Sequence, residues 1–111
     1  MAYDEDLANR IRELVQAETG VTEMRMFGGL AFLINGNMAV AASREGGLLL
    51  RVEPAATDEL LGQPDAEPFH MRGRQMDGWL RVTASGVATD DTLDRWVAHG
   101  VTYARSLPPK R

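Results

Sequence analysis

Apolar side chains recur at helical spacing near both ends of the chain and at strand-like spacing between them. Near the N-terminus, Leu7, Ile11 and Val15 lie on one face of a 3.6-residue period, which predicts a helix over residues 4–17. A second apolar stripe predicts a closing helix over residues 89–107. The residues between them predict five strands and one short helix: strands over 21–27, 30–34, 37–42, 48–52 and 79–83, and a helix over 54–61.

These elements predict an α+β fold, a two-layer arrangement of a central antiparallel sheet with N- and C-terminal helices. At 111 residues the chain has the length of one typical domain, so we expect a single domain over residues 1–111. Within it, residues 62–68 are rich in Gly, Pro and polar side chains and are predicted to form a loop. Asp77-Gly78 is predicted to form a turn before the last strand, and Lys110-Arg111 a frayed tail.

The segment Met24–Ala42 is the longest low-charge stretch, and the sheet is expected to form around it. Asn35-Gly36 is a preferred pair for a two-residue hairpin turn, because both positions need positive φ. We interpret Gly28-Gly29 as a bend between strands. No nucleotide-binding glycine motif and no helix follow it, so a phosphate-cradling loop is the weaker interpretation.

The hairpin about this turn is apolar on both of its faces. In the simplest register Leu33 lies opposite Met38, and Val40 shares their face. A strand pair that is apolar on both sides must be covered on both sides, and one helical layer covers only one. We therefore expect a homodimer, with Leu33, Met38 and Val40 as candidate interface residues.

Composition excludes several classes of site and protein. There is no cysteine, which excludes disulfides, thiolate zinc sites and cysteine nucleophiles. Twelve basic residues against sixteen acidic ones give a net charge of −4, which weighs against nucleic-acid binding by this chain alone. The sequence has neither a secretory signal nor a membrane span. We therefore expect a cytoplasmic protein.

No catalytic constellation stands out among the polar residues. The two histidines, His70 and His99, lie in no metal-binding or catalytic motif, so we expect no metal, no cofactor and no enzyme. The most cationic part of the chain holds His70, Arg72 and Arg74, which form a candidate anion-binding site because arginine suits bidentate contacts. The alternative is a pair of loop arginines that contact nearby acids.

Several residues together resemble the N-terminal domain of the TfoX/Sxy proteins. They are the run Met26-Phe27-Gly28-Gly29, then Phe32, Asn35-Gly36, Met38-Ala39, Leu49–Val52, Pro68-Phe69, Met76–Val82, and the helix with Leu93, Trp96, Val97 and Ala104. This resemblance implies a fold like that of type III secretion chaperones, often dimeric. Family members with known roles are bacterial regulators of natural competence that act with the cyclic-AMP receptor protein at promoters, and they carry a second, C-terminal helical domain. We interpret this chain as a stand-alone N-terminal domain.

The resemblance supplies no catalytic motif. We therefore expect a non-enzymatic binding or regulatory module that acts through protein–protein contacts, with a partner in the transcription machinery as one candidate. The alternative is a small anion-binding protein or enzyme that uses His70, Arg72 and Arg74. Direct DNA regulation is a third hypothesis, and the net charge weighs against it.

Overall fold

The computed structural model describes residues 3–26 and 28–110. Phe27, the end of the first predicted strand, and Arg111 lie outside this range. In chain order the elements are α1 (Glu5–Val15), β1 (Val21–Met26), β2 (Gly29–Ile34), β3 (Asn37–Ala42), β4 (Leu48–Arg51), a 3-10 turn (Pro54–Ala56), α2 (Thr57–Leu61), β5 (Ala66–Met71), β6 (Arg74–Val82), a second 3-10 turn (Ala84–Val87) and α3 (Asp90–Ser106). The predicted α+β fold is confirmed.

The strands form one sheet in the order β1-β2-β3-β4-β6-β5, and every neighbouring pair is antiparallel. The helices pack on one side of this sheet, called here the helix face, and contribute to its main apolar core. The opposite side is called the second face. The sheet therefore has one face under helices and one face that carries only its own side chains and flanking loops.

Polar side chains at the N-termini fix where the two long helices begin. The Asp4 carboxylate accepts hydrogen bonds from the N–H groups of Asp6 and Leu7, and the Thr89 hydroxyl accepts one from the N–H of Thr92. Such caps satisfy amides that have no partner within the helix. Both helices then present an apolar stripe to the sheet.

The helix face is closely packed. Phe32 and Leu50 from the sheet are almost completely buried, in one apolar cluster with residues of α1 and α3 such as Ile11 and Leu93. The approach is closest at Gly100, where an added Cβ would lie 2.5 Å from the carbonyl oxygen of Ala39. Only glycine allows α3 to lie this near to β3.

The β2–β3 hairpin contains a bulge that the simplest register does not anticipate. Leu33 pairs with Met38, but Phe32 pairs with Val40, so Ala39 is the extra residue. Beyond this point each side chain of β3 changes face. Val40 is therefore fully buried on the helix face, and its predicted place on the second face is wrong.

The two turns within the segment Met24–Ala42 contain positive-φ backbone. Asn35 and Gly36 have φ of +52° and +84° and join β2 to β3. Gly28, with φ of +77°, lies between β1 and β2. The next residue, Gly29, lies so close to β3 that an added Cβ would be 2.2 Å from the Ala42 carbonyl oxygen. These glycines have a backbone role.

The C-terminal part of the sheet differs from the sequence prediction. Residues predicted as loop and cationic segment form β5, and β6 begins earlier than expected. The turn between them is Arg72-Gly73, with φ of +55° and +79°, so the predicted turn at Asp77-Gly78 is wrong. Gly78 instead lies within β6 at φ +85°, and its N–H donates to the Thr57 hydroxyl at 2.8 Å. Positive φ inside a strand is typical of a bulge.

The C-terminal segment crosses the tip of the β2–β3 hairpin. The Lys110 N–H donates to the Asn35 carbonyl oxygen at 2.8 Å, and the Asn37 side-chain amide donates to the Pro108 carbonyl oxygen at 2.9 Å. Asn37 is a buried polar residue, only 2% exposed. The predicted frayed tail is therefore wrong for Lys110.

Candidate functional site on the second face of the sheet

The floor of the second face consists of five apolar side chains on the three central strands β2, β3 and β4. They are Ala31, Leu33, Met38, Ala41 and Leu49. Each is at most 8% exposed. Two of the three predicted interface residues, Leu33 and Met38, thus share this face.

Three larger side chains cover that floor. Met26, Phe69 and Trp79 are partly buried against it, and the rings of Phe69 and Trp79 lie 6.1 Å apart between centroids. Met26 belongs to β1 and Phe69 to β5, the two opposite edge strands. Both nevertheless pack against the same floor, from opposite edges of the sheet. Burial of the floor therefore does not by itself require a second subunit.

Two depressions remain between these covering side chains. One, of about 450 Å³, lies between Met26, Leu49 and Phe69. The other, of about 460 Å³, lies between Met26, Leu33 and Trp79. Met26 contributes to both, so they adjoin. Each is large enough to receive a few side chains of a binding partner.

The rims of the two depressions are cationic. Arg44 and Arg81 line the first, together with one acid, Glu45, whose Oε1 lies 3.1 Å from an Arg81 guanidinium nitrogen. Arg51 and Lys110 line the second. Four cations thus surround an apolar floor, against the acids Glu45 and Glu67, the second of which is paired with Arg81 between β5 and β6, in a chain whose net charge is −4. The second face therefore favours a partner that carries negative charge.

Arg51 is held in place by two aromatic rings. Its guanidinium carbon lies 5.6 Å from the ring centroid of Trp79 and 5.6 Å from that of Tyr103 in α3. A cation over an aromatic face is stabilised by about 0.5–1 kcal/mol at exposed sites. These contacts order the guanidinium at the rim, so less rotamer entropy is lost when it binds an anion.

A larger depression, of about 560 Å³, lies on the helix side between α3 and α2. Its apolar wall includes Val52 and Leu60, and its rim includes Glu53, Arg95 and His99. The acid Glu53 offsets the permanent cation Arg95, so this rim has no clear preference for one sign of charge. Size alone therefore does not make it the better candidate for a charged ligand.

The predicted anion site lies at the tip of the β5–β6 hairpin. His70, Arg72 and Arg74 are all exposed there. His70 pairs with Gln75 and Arg74 with Met71. Successive residue pairs of an antiparallel ladder point to opposite faces, so the side chains of His70 and Arg74 diverge. The hairpin places the three residues near one another in the chain but does not direct them into one pocket.

Comparison with known protein families identifies the fold. The family model of the TfoX N-terminal domain matches residues 13–104. The chain belongs to the TfoX N-terminal domain family. No curated protein and no solved structure matches it significantly. The matched range contains all six strands, and it includes the floor of the second face and three of its four rim cations, whereas Lys110 lies beyond it.

Within residues 3–26 and 28–110, no group of three or more His, Asp or Glu side chains could hold a metal ion. Among the helices of the described part, none is long and apolar enough to cross a membrane. The family is not a known enzyme family.

Sequence reasoning missed the rim of the TfoX N-terminal domain, although its signal is visible. In β4, Leu49 and Arg51 alternate with residues of the helix face, and in β6 Trp79 and Arg81 do the same. The structure pairs Leu49 with Arg81 and Arg51 with Trp79. Each strand shows an arginine beside a large apolar residue, but only the adjacency of β4 and β6 brings the two pairs together.

Proposed function

We propose that this TfoX N-terminal domain is a non-enzymatic binding module of the cytoplasm that docks an acidic, partly apolar segment of a partner protein on its second face. The observation that supports the proposal is the combination of four rim cations with two adjoining apolar depressions. Apolar side chains of the segment would enter the depressions, and its carboxylates would contact the arginines. Arginine suits this role because its planar fork binds carboxylates bidentately.

The family resemblance suggests proteins of transcription as a source of such a segment, since TfoX proteins with known roles act at promoters. Contact through a protein partner is also consistent with the net charge of −4, which disfavours direct binding to DNA phosphates. On this proposal the domain recognises a protein rather than nucleic acid.

An unbiased display library of 15-residue peptides, selected on the wild-type domain, tests the proposal. We expect enriched peptides to combine Asp or Glu with apolar residues. The double variant Arg44→Glu/Arg51→Glu should weaken an enriched peptide at least tenfold in fluorescence anisotropy, because it reverses charge at both depressions.

The matched control is Arg72→Glu/Arg74→Glu, which makes the same change in net charge at the tip of the β5–β6 hairpin. It should leave the affinity within about twofold. If the control variant weakens the peptide more than the rim variant does, the anion site of His70, Arg72 and Arg74 is the binding site instead. Enriched peptides without acidic residues would also contradict the proposal.

A further inference from the structure

The two edges of the sheet differ in whether they can accept another strand. β5 contains Pro68, which has no N–H to donate, and its pairing with β6 is irregular beside that residue. β1 has six consecutive residues without Pro or Gly, VTEMRM. Met24 lies at its centre. Among the described residues, its side chain is the one large apolar side chain that is exposed, at 53%. β1 therefore lacks the proline and the irregular pairing that hinder strand addition at β5, and the charged residues Glu23 and Arg25 are its protection against it.

The hydrogen bonds of β1 show which backbone groups point outward. The Asn35 N–H donates to the Gly20 carbonyl oxygen at 2.9 Å, which makes Gly20 a residue that faces β2. Residues of an antiparallel strand alternate between facing one neighbour and facing the other. Val21, Glu23 and Arg25 therefore direct their N–H and C=O groups away from the sheet.

We propose that β1 pairs in antiparallel fashion with β1 of a second copy, in the register that sets Met24 opposite Met24 of that copy. The charges of the strand select this register. In it, Glu23 of each copy lies opposite Arg25 of the other, so opposite charges meet twice. Outward-facing residues must pair with outward-facing residues, so the neighbouring registers are shifted by two. These set Glu23 opposite Glu23 or Arg25 opposite Arg25, and like charges directly opposite destabilise a strand pair.

The contact that Glu23 already makes is compatible with this pairing. Its carboxylate accepts hydrogen bonds from Arg12 of α1, at 2.6 Å from Nε and 2.9 Å from a terminal guanidinium nitrogen. A carboxylate offers about four acceptor sites, so a second arginine can bind. Glu23 pairs with the helix-face residue Phe32 and Arg25 with Leu30, so both charged side chains lie on the helix side of the sheet.

The assembly would join two six-stranded sheets into one sheet of twelve strands about a two-fold axis perpendicular to it. The helices of both copies would lie on one side and both second faces on the other. Met24 lines the second depression, so the depressions of the two copies would adjoin across the axis. The pairing does not depend on the proposed docking function, since a monomer could also bind a peptide.

Single cysteines test the register, because the chain has none of its own. Met24→Cys should form an intermolecular disulfide under mild oxidation, since residues at a non-hydrogen-bonded antiparallel pair lie about 4.5 Å apart between Cα atoms. Thr22→Cys is the matched control on the same strand and should remain unlinked. Glu23→Cys and Arg25→Cys report the two registers shifted by two, and both should cross-link far more slowly than Met24→Cys.

Charge exchange tests the pairing without cysteine. Glu23→Arg and Arg25→Glu should each weaken self-association at least tenfold in sedimentation equilibrium, because each makes the edge strand uniformly charged. An equimolar mixture of the two variants should form a heterodimer, because opposite charges then meet again. Circular dichroism checks that each variant keeps the fold, which exposed edge residues should not disturb.

Three results would overturn the proposal. The first is a wild-type chain that stays monomeric at about 200 µM. At a concentration of that order, even a weak dimer would be populated. The second is a cross-link of Glu23→Cys or Arg25→Cys that forms as fast as that of Met24→Cys. The third is a mixture of the charge variants that associates no better than either variant alone. None of these results would contradict peptide docking on the second face.

Discussion

The two faces of the sheet bury apolar side chains in different ways. On the helix face, Phe32 lies beneath α-helices and is 1% exposed. On the second face, Phe69 covers other residues and is itself only half-buried. The same residue type thus lies under a second layer on one side and forms the outer layer on the other.

This difference in burial gives the two faces different roles: the helix face mainly stabilises the fold, and the second face also leaves surface that a partner can recognise. A helix layer hides the sheet residues beneath it, so the helix side is open to a partner mainly at the depression between α3 and α2. A cover of single side chains hides the floor but leaves its own outer surface and the gaps between its members accessible. Exposed aromatic and methionine side chains beside arginines are also the residue types that concentrate binding energy at protein interfaces.

The largest expected effect is that of Phe32→Ala, which removes the centre of the helix-face core. A buried phenylalanine truncated to alanine costs about 3–5 kcal/mol, because transfer free energy is lost and a cavity remains. We expect the midpoint of urea unfolding to fall sharply, or the variant not to fold. A loss below about 1 kcal/mol would contradict the close packing on this face.

The matched variant on the second face, Phe69→Ala, should be milder. The ring is only partly buried and its loss leaves no enclosed cavity, so we expect a loss of about 1–2 kcal/mol. Trp79 loses its neighbouring ring, so its fluorescence should shift to longer wavelength as water approaches the indole. If Phe69→Ala and Phe32→Ala destabilise equally, the two faces do not differ as described.

Asn37→Ala tests the join between the hairpin tip and the C-terminal segment. The variant removes the amide that donates to the Pro108 carbonyl oxygen, and loss of such a hydrogen bond costs about 0.5–1.5 kcal/mol. Hydrogen exchange at the Lys110 amide should accelerate more than exchange in α1. Gln75→Ala on the exposed β5–β6 hairpin serves as the control. Unchanged exchange at Lys110 would show that the segment is held by other contacts.

The smallest expected effect is that of Glu23→Gln, and it depends on pH. The hydrogen bonds from Arg12 hold the pKa of the Glu23 carboxyl below its ordinary value of 4.5. A carboxyl with a lowered pKa in the folded state stabilises the protein above its unfolded pKa, and this stabilisation is lost as the pH falls through the folded pKa. At pH 7 the variant should therefore have a slightly lower free energy of unfolding than wild type. This difference in free energy should disappear below about pH 4.5.

The control for this comparison is Glu13→Gln, which removes the same charge from the exposed surface of α1. At pH 7 its stability difference from wild type should be smaller than that of Glu23→Gln. A Glu23→Gln difference that is equally large at pH 3 and pH 7 would show that the ion pair with Arg12 does not cause it.

Sequence patterns predicted the elements that depend on residues close to one another in the chain. The stripes of α1 and α3 repeat at helical period, and Asn35-Gly36 has the turn chemistry of a two-residue hairpin. The bulge at Ala39 was missed because the residues around it are uniformly apolar, so no change of face is visible in the pattern. The turn at Arg72-Gly73 was missed because arginine seldom adopts positive φ, whereas Asp77-Gly78 has the more usual residues.

For the second face, the sequence predicted residues of the central hairpin but not the residues that cover and surround them. Leu33 and Met38 follow from the hairpin register alone. Arg51 and Trp79 belong to strands that are distant in sequence, and their contact depends on the pairing of β4 with β6. Lys110 reaches the same face only because the C-terminal segment folds back over the hairpin. Pairings between distant segments are what a single sequence leaves open.

The close approach of Gly100 to Ala39 also has a consequence for synthesis on the ribosome. The helix that covers the central hairpin is made about 60 residues after that hairpin. At roughly 5–20 residues per second, the apolar strands β2 and β3 wait several seconds for their cover. During that interval α1 has been made but α3 has not, so the nascent chain presents these strands with part of their helical layer missing, and we expect it to engage chaperones until α3 has left the exit tunnel.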